Sequence, residues 1–425
     1  GGNIVGSGTG PGGGTLVVDA GSILSFVGSA NRTLLNATLE NHGLFAHAPT
    51  GSGSELFLNG AVIDNGAGGV FELGNTRPVA QSGAGGSFAN TAGTLLKTGA
   101  GTSGLNLPFT SSGTVRVDGG TLAIGSLTQN DGLIQLAAGT AMTPSRTFVN
   151  SSTGTVTGAG QINVSGAFLN DGNINVSGLL RVAGSAVENR AGGRITGIGT
   201  LATSNVMNRG TIAPGNSVGQ LTIDGDLVLV NSPVASDPSQ GSRVVVELQG
   251  TPGQPIADNL HVTGCVTLGG NLGVAVLPSG NLIAAGSGFD VVTSNNTLMG
   301  DFQSPTPAVF QTAGRFITGA LNPLTGAALA YRLTVNSGPV VPVVPVVPVV
   351  PVVPVVPVVP VEAVLPSQEF DPIRLVLNSL EPARLAIPTD SVFNDSAIDF
   401  IQSLPAPAAG IPGNEDDVFA LLKCQ

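Results

Sequence analysis

Charged and aromatic residues are scarce in this sequence. It has no Trp and one Tyr, only 10% of its residues are charged, and its formal net charge is −11 at pH 7. This balance excludes the basic surface that nucleic-acid recognition needs. Because 41% of the residues are hydrophobic, the chain is not a disordered polyelectrolyte either. Its 63 glycines, among many Val, Leu, Thr, Ser and Asn residues, indicate repeated β-structure with tight turns.

Cysteines and metal-binding residues are equally few. The two cysteines, Cys265 and Cys424, are too far apart to indicate a disulfide framework. Cys265 lies in the apolar strand pattern HVTGCVTLGG, so we expect it to be a buried thiol. Acidic residues are too sparse for a metal cluster, and the G-x-G-x-x-G match at residues 8–13 contains Pro11. No metal, cofactor or catalytic site is therefore predicted.

One short unit recurs along the chain: Asn, a polar step, Gly, any residue, then an aliphatic residue or Phe. It reads NHGLF at 41, NDGLI at 130, NDGNI at 170 and NRGTI at 208. The last five Asn positions, 130, 150, 170, 189 and 208, are separated by 20, 20, 19 and 19 residues. The residue two after each glycine is always apolar: Phe45, Phe71, Leu95, Val115, Ile134, Val156, Ile174, Ile195 and Ile212. A second apolar residue usually precedes the Asn, as at Phe148, Phe168, Val187 and Val206.

This pattern predicts an all-β fold, a right-handed parallel β-helix of about 20-residue coils. About ten coils, stacked about 4.8 Å apart, would span residues 25 to 226. The recurring aliphatic residues would form an internal stack. We expect the recurring Asn to lie at turns, where it tolerates a left-handed conformation, and to bond to its neighbours along the stack. Leucine-rich repeats need a helical half and propellers a period near 40, so both fit less well.

The segment Gly215-Asn216-Ser217-Val218-Gly219 matches G-x-S-x-G, the nucleophile elbow of serine hydrolases. That elbow requires a strand, a sharp turn and a helix. Here the strand pattern QLTIDGDLVL follows, and His42, His47 and His261 are remote in sequence. We therefore predict a turn between coils, and no enzyme.

The longer stretch GTIAPGNSVGQLTIDGDL, residues 210–227, resembles the motif that closes the β-helix of many Gram-negative autotransporter passengers and related secreted adhesins. The segments VVVELQG, ADNLHVTGCVTLGGNLGVAV and GFDVVTSNNTLMGDF are similar to the sequence that follows the motif in that family. The resemblance implies a surface or secreted protein with a β-helical stalk at 1–226. It also implies a cap or autochaperone-like region at 227–336, which would cover the open sheet edge at the end of the stalk.

One departure narrows the resemblance. Autotransporters continue into a membrane barrel with many amphipathic strands and aromatic girdles, whereas the residues after 336 show no such pattern. The chain is therefore more similar to two-partner-secretion exoproteins of the filamentous-haemagglutinin type, whose pore is a separate protein. It begins with Gly-Gly inside the repetitive pattern, so we expect it to be the C-terminal part of a longer protein.

A proline repeat separates this region from the end of the chain. Residues 339–360 read PVVPVVPVVPVVPVVPVVPVVP, and a proline at every third position prevents a membrane-spanning helix. The period of three is typical of polyproline II. We interpret residues 337–361 as a stiff spacer, with a ligand for a proline-reading domain as the alternative.

The C-terminal tail, residues 362–425, carries the candidate functional residues. Asp371-Pro372 marks a helix start, and residues 395–404 and 415–425 are further helical candidates. The arrangement resembles the C-terminus of CdrA-type biofilm adhesins, in which a terminal plug holds the adhesin in its transporter until a LapG-like periplasmic cysteine protease cuts it. The resemblance places the candidate cleavage site at Pro407, Ala408, Ala409 and Gly410. It places the candidate anchor at Phe419, Leu422 and Cys424, although the related hook usually has a cysteine pair.

These features predict the stalk and outer-membrane retention module of a secreted adhesin that acts in cell attachment and biofilm aggregation. The expected location is the cell surface, with the extreme C-terminus in the periplasm. The expected partners are an outer-membrane pore protein, the LapG-like protease, and an exopolysaccharide or host surface bound by upstream regions. A passenger fragment of an autotransporter virulence factor is the alternative. A pectate-lyase-like enzyme is a minor one, because Arg and Lys are scattered rather than clustered.

Overall fold

The computed structural model describes residues 3–5, 13–48, 54–144, 147–232, 241–250, 256–277, 283–305, 315–323 and 329–337. All described residues belong to one compact unit. Ser337, the first residue of the predicted spacer, is the last residue of β40. The rest of the spacer and the tail with its candidate helices lie outside the described residues.

The described residues form forty strands and no helix. The first twenty are β1 (Asn3–Val5), β2 (Thr15–Val18), β3 (Ile23–Phe26), β4 (Arg32–Leu35), β5 (Thr38–Asn41), β6 (Leu44–His47), β7 (Leu56–Asn59), β8 (Ala61–Asn65), β9 (Val70–Leu73), β10 (Val79–Gln81), β11 (Gly86–Asn90), β12 (Thr94–Lys97), β13 (Thr102–Asn106), β14 (Phe109–Ser111), β15 (Thr114–Val117), β16 (Thr121–Ala123), β17 (Gln129–Asn130), β18 (Leu133–Leu136), β19 (Ala141–Thr143) and β20 (Phe148–Asn150). The others are β21 (Thr155–Gly158), β22 (Gln161–Asn163), β23 (Phe168–Asn170), β24 (Asn173–Val176), β25 (Leu179–Ala183), β26 (Val187–Asn189), β27 (Arg194–Gly197), β28 (Thr200–Asn208), β29 (Thr211–Pro214), β30 (Gln220–Leu229), β31 (Arg243–Gln249), β32 (Ile256–Ala257), β33 (Asn259–Val262), β34 (Val266–Leu268), β35 (Asn271–Val276), β36 (Gly288–Ser294), β37 (Leu298–Gly300), β38 (Ser304–Pro305), β39 (Arg315–Pro323) and β40 (Leu329–Ser337).

The strands form three sheets of 21, 5 and 14 strands. Each strand of a coil pairs in parallel with the equivalent strand of the next coil, as β18 pairs with β21 and β21 with β24. The register keeps the repeat aligned, because Ile134 pairs with Val156 and Val156 with Ile174. The predicted parallel β-solenoid is confirmed.

The core is the predicted stack of aliphatic and aromatic side chains. All nine residues that follow the repeat glycines, from Phe45 to Ile212, are fully buried. In the first coils the stack is aromatic, and the Phe45 and Phe71 rings lie parallel with centroids 4.6 Å apart. Strand alternation puts the aliphatic side chains on one face, so every coil buries its apolar face against the coils above and below.

The recurring Asn residues form a buried ladder inside the solenoid. Successive side chains donate from Nδ2 to the next Oδ1, at 2.8 Å from Asn130 to Asn150 and from Asn150 to Asn170. The same bond spans the steps 41 to 65, 65 to 90, 170 to 189 and 189 to 208, at 2.6, 2.8, 2.6 and 2.6 Å. Ser111 replaces Asn in one coil and accepts from Asn90 at 3.0 Å. The expected bonding along the stack is confirmed.

The expected left-handed conformation of these Asn residues is wrong. Each of them ends a strand, and Asn36 is the non-glycine residue with positive φ among the described residues. The repeat glycines are explained by sterics rather than by backbone conformation. A Cβ at Gly132 would collide with the backbone carbonyl of Gly113 in the previous coil. Glycine is therefore required here by the close stacking of the turns.

The parallel pairing continues past residue 226, the expected end of the stalk. That position lies inside β30, and the parallel series runs on through β31 and β35 to β38. The 21-stranded sheet ends differently, because its strands β36, β40 and β39 pair antiparallel. This hairpin supplies an antiparallel end to a sheet that is otherwise parallel.

Cys265 corrects one prediction. It is buried as expected, with 4% of its surface exposed, but it is disulfide-bonded rather than a free thiol. Its strand pattern indicated burial and carried no information on the oxidation state of the sulfur. The described residues contain no helix with the length and apolarity to cross a membrane.

Candidate functional site

The turn that carries Ser217 joins β29 to β30. The side chains of Asn216 and Ser217 are exposed, and a strand follows directly at Gln220 rather than a helix. The predicted turn between two coils is confirmed, and the strand–turn–helix of a nucleophile elbow does not form.

Gly215 fixes the shape of this turn. Its φ is 85°, in the left-handed region that favours glycine. Its amide donates to the carbonyl of Gly197 at 2.9 Å, and a Cβ at this position would overlap the carbonyl of Ser217. The turn is thereby held against the preceding coil.

Asp258 fastens the same turn to the next coil. Its Oδ1 accepts from the amide of Gly219 at 2.7 Å, and its Oδ2 accepts from the amide of Glu247 at 2.7 Å. The Asp258 amide itself donates to the Glu247 carbonyl at 2.9 Å. The carboxylate, only 1% exposed, thus joins the end of the turn to β31. We call Gly215, Gly219, Glu247 and Asp258 the turn clasp.

The turn clasp borders a cleft of about 380 Å³ lined by ten residues: Arg194, Thr196, Ala213, Pro214, Gly215, Asn216, Ser217, Val245, Glu247 and Asp258. Burial raises the pKa of Asp258 to about 6, the two backbone amides oppose that rise, and the charge of Glu247 adds to it. At pH 7 the carboxylate is ionised and can accept both bonds. Charge-assisted bonds from backbone amides are among the stronger protein hydrogen bonds.

The cleft does not bring a catalytic base to Ser217. None of its ten lining residues is a histidine. His261 bonds to Thr293 through Nδ1 at 3.0 Å, and His42 faces the Ala67 carbonyl at 3.4 Å. The described residues also contain no group of three His, Cys, Asp or Glu side chains that could hold a metal. Instead, the Asp258 carboxylate holds the backbone amides of Gly219 and Glu247 in place where two coils meet.

Two further side chains act in the same way as Asp258. Oδ1 of Asp226 accepts from the amide of Cys265 at 2.8 Å. Oδ1 of Asn231 accepts from the amide of Gly270 at 2.8 Å. Arg332 and Asp290 form a bidentate pair, with both N···O distances at 2.7 Å. The region after the Asn ladder is therefore held by separate side chains, each at one place.

Two buried ionisable residues in the early coils were missed by the sequence reasoning. His47 is 1% exposed, neither ring nitrogen has a hydrogen-bond partner, and burial lowers its pKa to about 4. Lys97 is fully buried and donates to the Gly99 carbonyl, and burial lowers its pKa. Each lies two residues after an inward-facing residue, Phe45 or Leu95, so strand alternation predicts that it points inward.

The candidate cleavage residues Pro407, Ala408, Ala409 and Gly410 and the candidate anchor residues Phe419, Leu422 and Cys424 lie outside the described residues. Among the described residues, the turn clasp and the cleft beside it are therefore the candidate site. Asp258 had a signal in the sequence, since it belongs to the ADNL segment that carries the family resemblance, but its bond to the glycine turn could not be read from the pattern.

Comparison of the chain with protein-family models gives no match, and comparison with curated proteins finds no significant similarity. The function is therefore argued from the fold and from these residues.

Proposed function

We propose that this protein is the structural stalk and retention module of a secreted bacterial adhesin, at the cell surface. The observation that carries the proposal is the buried Asn ladder beside the aliphatic stack. Seven of its steps join coils from Asn41 to Asn208 through side chains, so these buried side chains bind one coil to the next.

A stalk needs stiffness along the stack more than chemistry at one point. Each ladder bond lies in a buried environment, where an unmade bond costs about 1–3 kcal/mol, so the coils resist separation. The β36–β40–β39 end and the turn clasp support the same role. An open solenoid end exposes unpaired backbone groups and invites association with other chains.

The tail completes the proposal. An outer-membrane pore of the two-partner-secretion type would export the chain, and residues 411–425 would hold it from the periplasmic side. A LapG-like cysteine protease would release it by cutting between Pro407 and Gly410. Regions outside this sequence would bind the exopolysaccharide or host surface.

Surface location has a direct test. Antibodies against residues 54–208 should label intact cells that make the protein, and cells without the protein should form fewer surface aggregates. Labelling that appears only after the cells are lysed would contradict the proposal.

Release is tested by a pair of variants. Ala408→Arg with Ala409→Arg should keep the protein on cells under conditions that shed the wild type, because the bulky charged side chains do not fit pockets for small residues. Ala383→Arg with Ala386→Arg is the matched control, with the same change elsewhere in the tail. The protein in cells and medium is measured by immunoblot, and equal shedding from all three chains with the protease present rules out this cleavage site.

A further inference from the structure

The cleft beside the turn clasp lies on the outer face of the 14-stranded sheet. Strand alternation points Ile212 inward and Ala213 outward, yet Ala213 is only 7% exposed, because residues 215–217 of the turn line the same cleft and cover it. Ala213, Pro214 and Val245 give the cleft an apolar floor. Its volume of about 380 Å³ is within the range of roughly 300–1,000 Å³ that small-molecule sites occupy.

The polar side chains around this floor are free to meet a ligand. Five of them form no hydrogen bond or ion pair with another described residue: Arg194, Thr196, Asn216, Ser217 and Glu247. Elsewhere on the surface opposite charges pair directly, as Arg190 does with Asp171 at 3.2 Å. Arg194 and Glu247 instead line one cleft without pairing with each other.

Arg194 and Glu247 stand at opposite corners of the cleft. Arg194 is in register with Thr211, and Thr211 with Arg243, so Arg194 lies two strands away from β31. Glu247 lies four residues after Arg243 on that strand. Strands are about 4.8 Å apart and residues rise about 3.3 Å, so the Cα atoms of Arg194 and Glu247 are roughly 16 Å apart. Both side chains line the cleft and shorten this gap from its two ends.

We propose that the cleft binds a short peptide of two or three residues by its two charged ends. The carboxylate of the peptide accepts from the guanidinium of Arg194, whose parallel N–H groups match a carboxylate. The ammonium group of the peptide donates to the carboxylate of Glu247. An extended residue spans about 3.3–3.6 Å, so two or three residues bridge the two side chains. Their own side chains rest on Ala213 and Val245.

Asp258 favours a cationic group at the Glu247 end of the cleft. The charge of Glu247 raises the pKa of Asp258, so the two carboxylates repel each other, and an ammonium group beside Glu247 offsets that repulsion. A metal ion fits less well, because both carboxylate oxygens of Asp258 already accept from the backbone amides of Gly219 and Glu247.

Isothermal titration calorimetry of the purified chain with tri-alanine tests the site. At pH 7 this peptide carries an ammonium group and a carboxylate. N-acetylated tri-alanine and its C-terminal amide each lack one charge and should bind about tenfold more weakly. Single alanine should also bind more weakly, because its two charges are too close together to reach both side chains. No binding of tri-alanine, or equal binding of the peptide blocked at both ends, would overturn the proposal.

Variants assign each end of the peptide to one side chain. Arg194→Gln should weaken the binding of tri-alanine about tenfold and leave the C-terminal amide unchanged, since that peptide has no carboxylate to lose. Glu247→Gln should act in the same way on the N-acetylated peptide. Arg181→Gln is the matched control, at an exposed arginine of β25 that does not line the cleft. A control variant that weakens binding as much as Arg194→Gln would show that the peptide does not bind in this cleft.

This inference is independent of the proposed function. The titration involves neither the pore protein nor the protease, so its failure leaves the surface-labelling and shedding tests standing, and their failure leaves the peptide site standing. Circular dichroism of the variants should match that of the wild type, because the changed side chains lie on the outer face of the sheet. If a variant loses its β signal, the blocked peptides measured on the wild type still decide the question.

Discussion

The laddered coils, from Asn41 to Asn208, and the described residues after Asn208, which we call the cap, join successive coils by different means. From Asn41 to Asn208 most coils offer the same side chain to the next, and most steps repeat one hydrogen bond. After Asn208 the ladder ends, since Leu229 takes the paired position. The cap instead uses single contacts, such as Asp258 to Gly219 and Arg332 to Asp290.

This difference has a thermodynamic consequence. In a solenoid, stability is roughly the sum of the coils and of their nearest-neighbour interfaces. When one coil loses a contact that every coil makes, the remaining coils still make it and the solenoid keeps most of its stability. A single contact has no substitute, so the cap should be the less tolerant part of the molecule, although it is stacked in the same parallel register.

Deletions should break this comparison most clearly. Removing residues 151–170 joins Asn150 to Asp171 and takes out one period, because Asn150 and Asn170 are paired in register. That chain should fold. Removing residues 151–160 takes out β21 and half a coil, so the strands that follow no longer meet their partners in the previous coil. That chain should lose cooperative urea unfolding.

The cap provides the counterpart. Deleting residues 227–265 also keeps the register, since Leu227 pairs with Val266, but it removes Asp258 and β33. Limited proteolysis should show a sensitive region from about residue 210 onward. A cap deletion as well tolerated as the coil deletion would refute the distinction between the two regions.

A buried charge in the laddered coils should have the next largest effect. Ile174 is fully buried between Val156 and Ile195. Ile174→Asp places a carboxylate there without a partner, which should cost roughly 3 to 5 kcal/mol. Leu179→Asp, at a strand position 49% exposed in the same part of the chain, is the matched control. New cleavage between residues 150 and 200 is expected in the first variant, and equal resistance of both would argue against the internal stack.

The regular coils were predictable from the sequence because one interaction repeats. A glycine followed two residues later by an aliphatic residue occurs in coil after coil, and the period fixed both the pairing and the inward face. The turn clasp could not be predicted in the same way. Asp258 meets Gly219 across 39 positions, and the similar bonds of Asp226 and Asn231 involve different residues in different local sequences, so no recurring motif marks them. The disulfide of Cys265 was missed for the same reason.

The two regions should also respond to pH with opposite sign. The native pKa of His47 lies near 4, below its ordinary 6.5, so the unfolded chain binds the proton first as the pH falls. The early coils should therefore lose up to roughly 3 kcal/mol between pH 6.5 and 4. Asp258, raised from 3.8 to about 6, binds its proton first in the native state. Its contribution to the free energy of unfolding is fully present below pH 3.8 and is lost as the pH rises through 6.

Hydrogen exchange read separately on residues 23–73 and 210–262 measures the two trends. His47→Leu should remove the pH dependence of the early coils between pH 4 and 6.5, while a change at the exposed His42 should leave it in place. A pH dependence of the early coils that survives His47→Leu would mean that another group is responsible.

The smallest expected effect distinguishes Asp258, which binds the glycine turn, from Ser217, which lies in it. Asp258→Asn keeps the size of the side chain but replaces one acceptor oxygen by an NH2 group, which faces a backbone amide that then lacks a partner. Because these groups are buried, the change should cost about 1 to 3 kcal/mol at pH 7. Ser217→Ala alters an exposed side chain and should stay within about 0.5 kcal/mol. Urea unfolding followed at the cap measures both, and ester hydrolysis is assayed alongside. An Asp258→Asn chain as stable as the wild type would show that the turn clasp does not hold the glycine turn. An esterase activity that is lost in Ser217→Ala would show that Ser217 is catalytic.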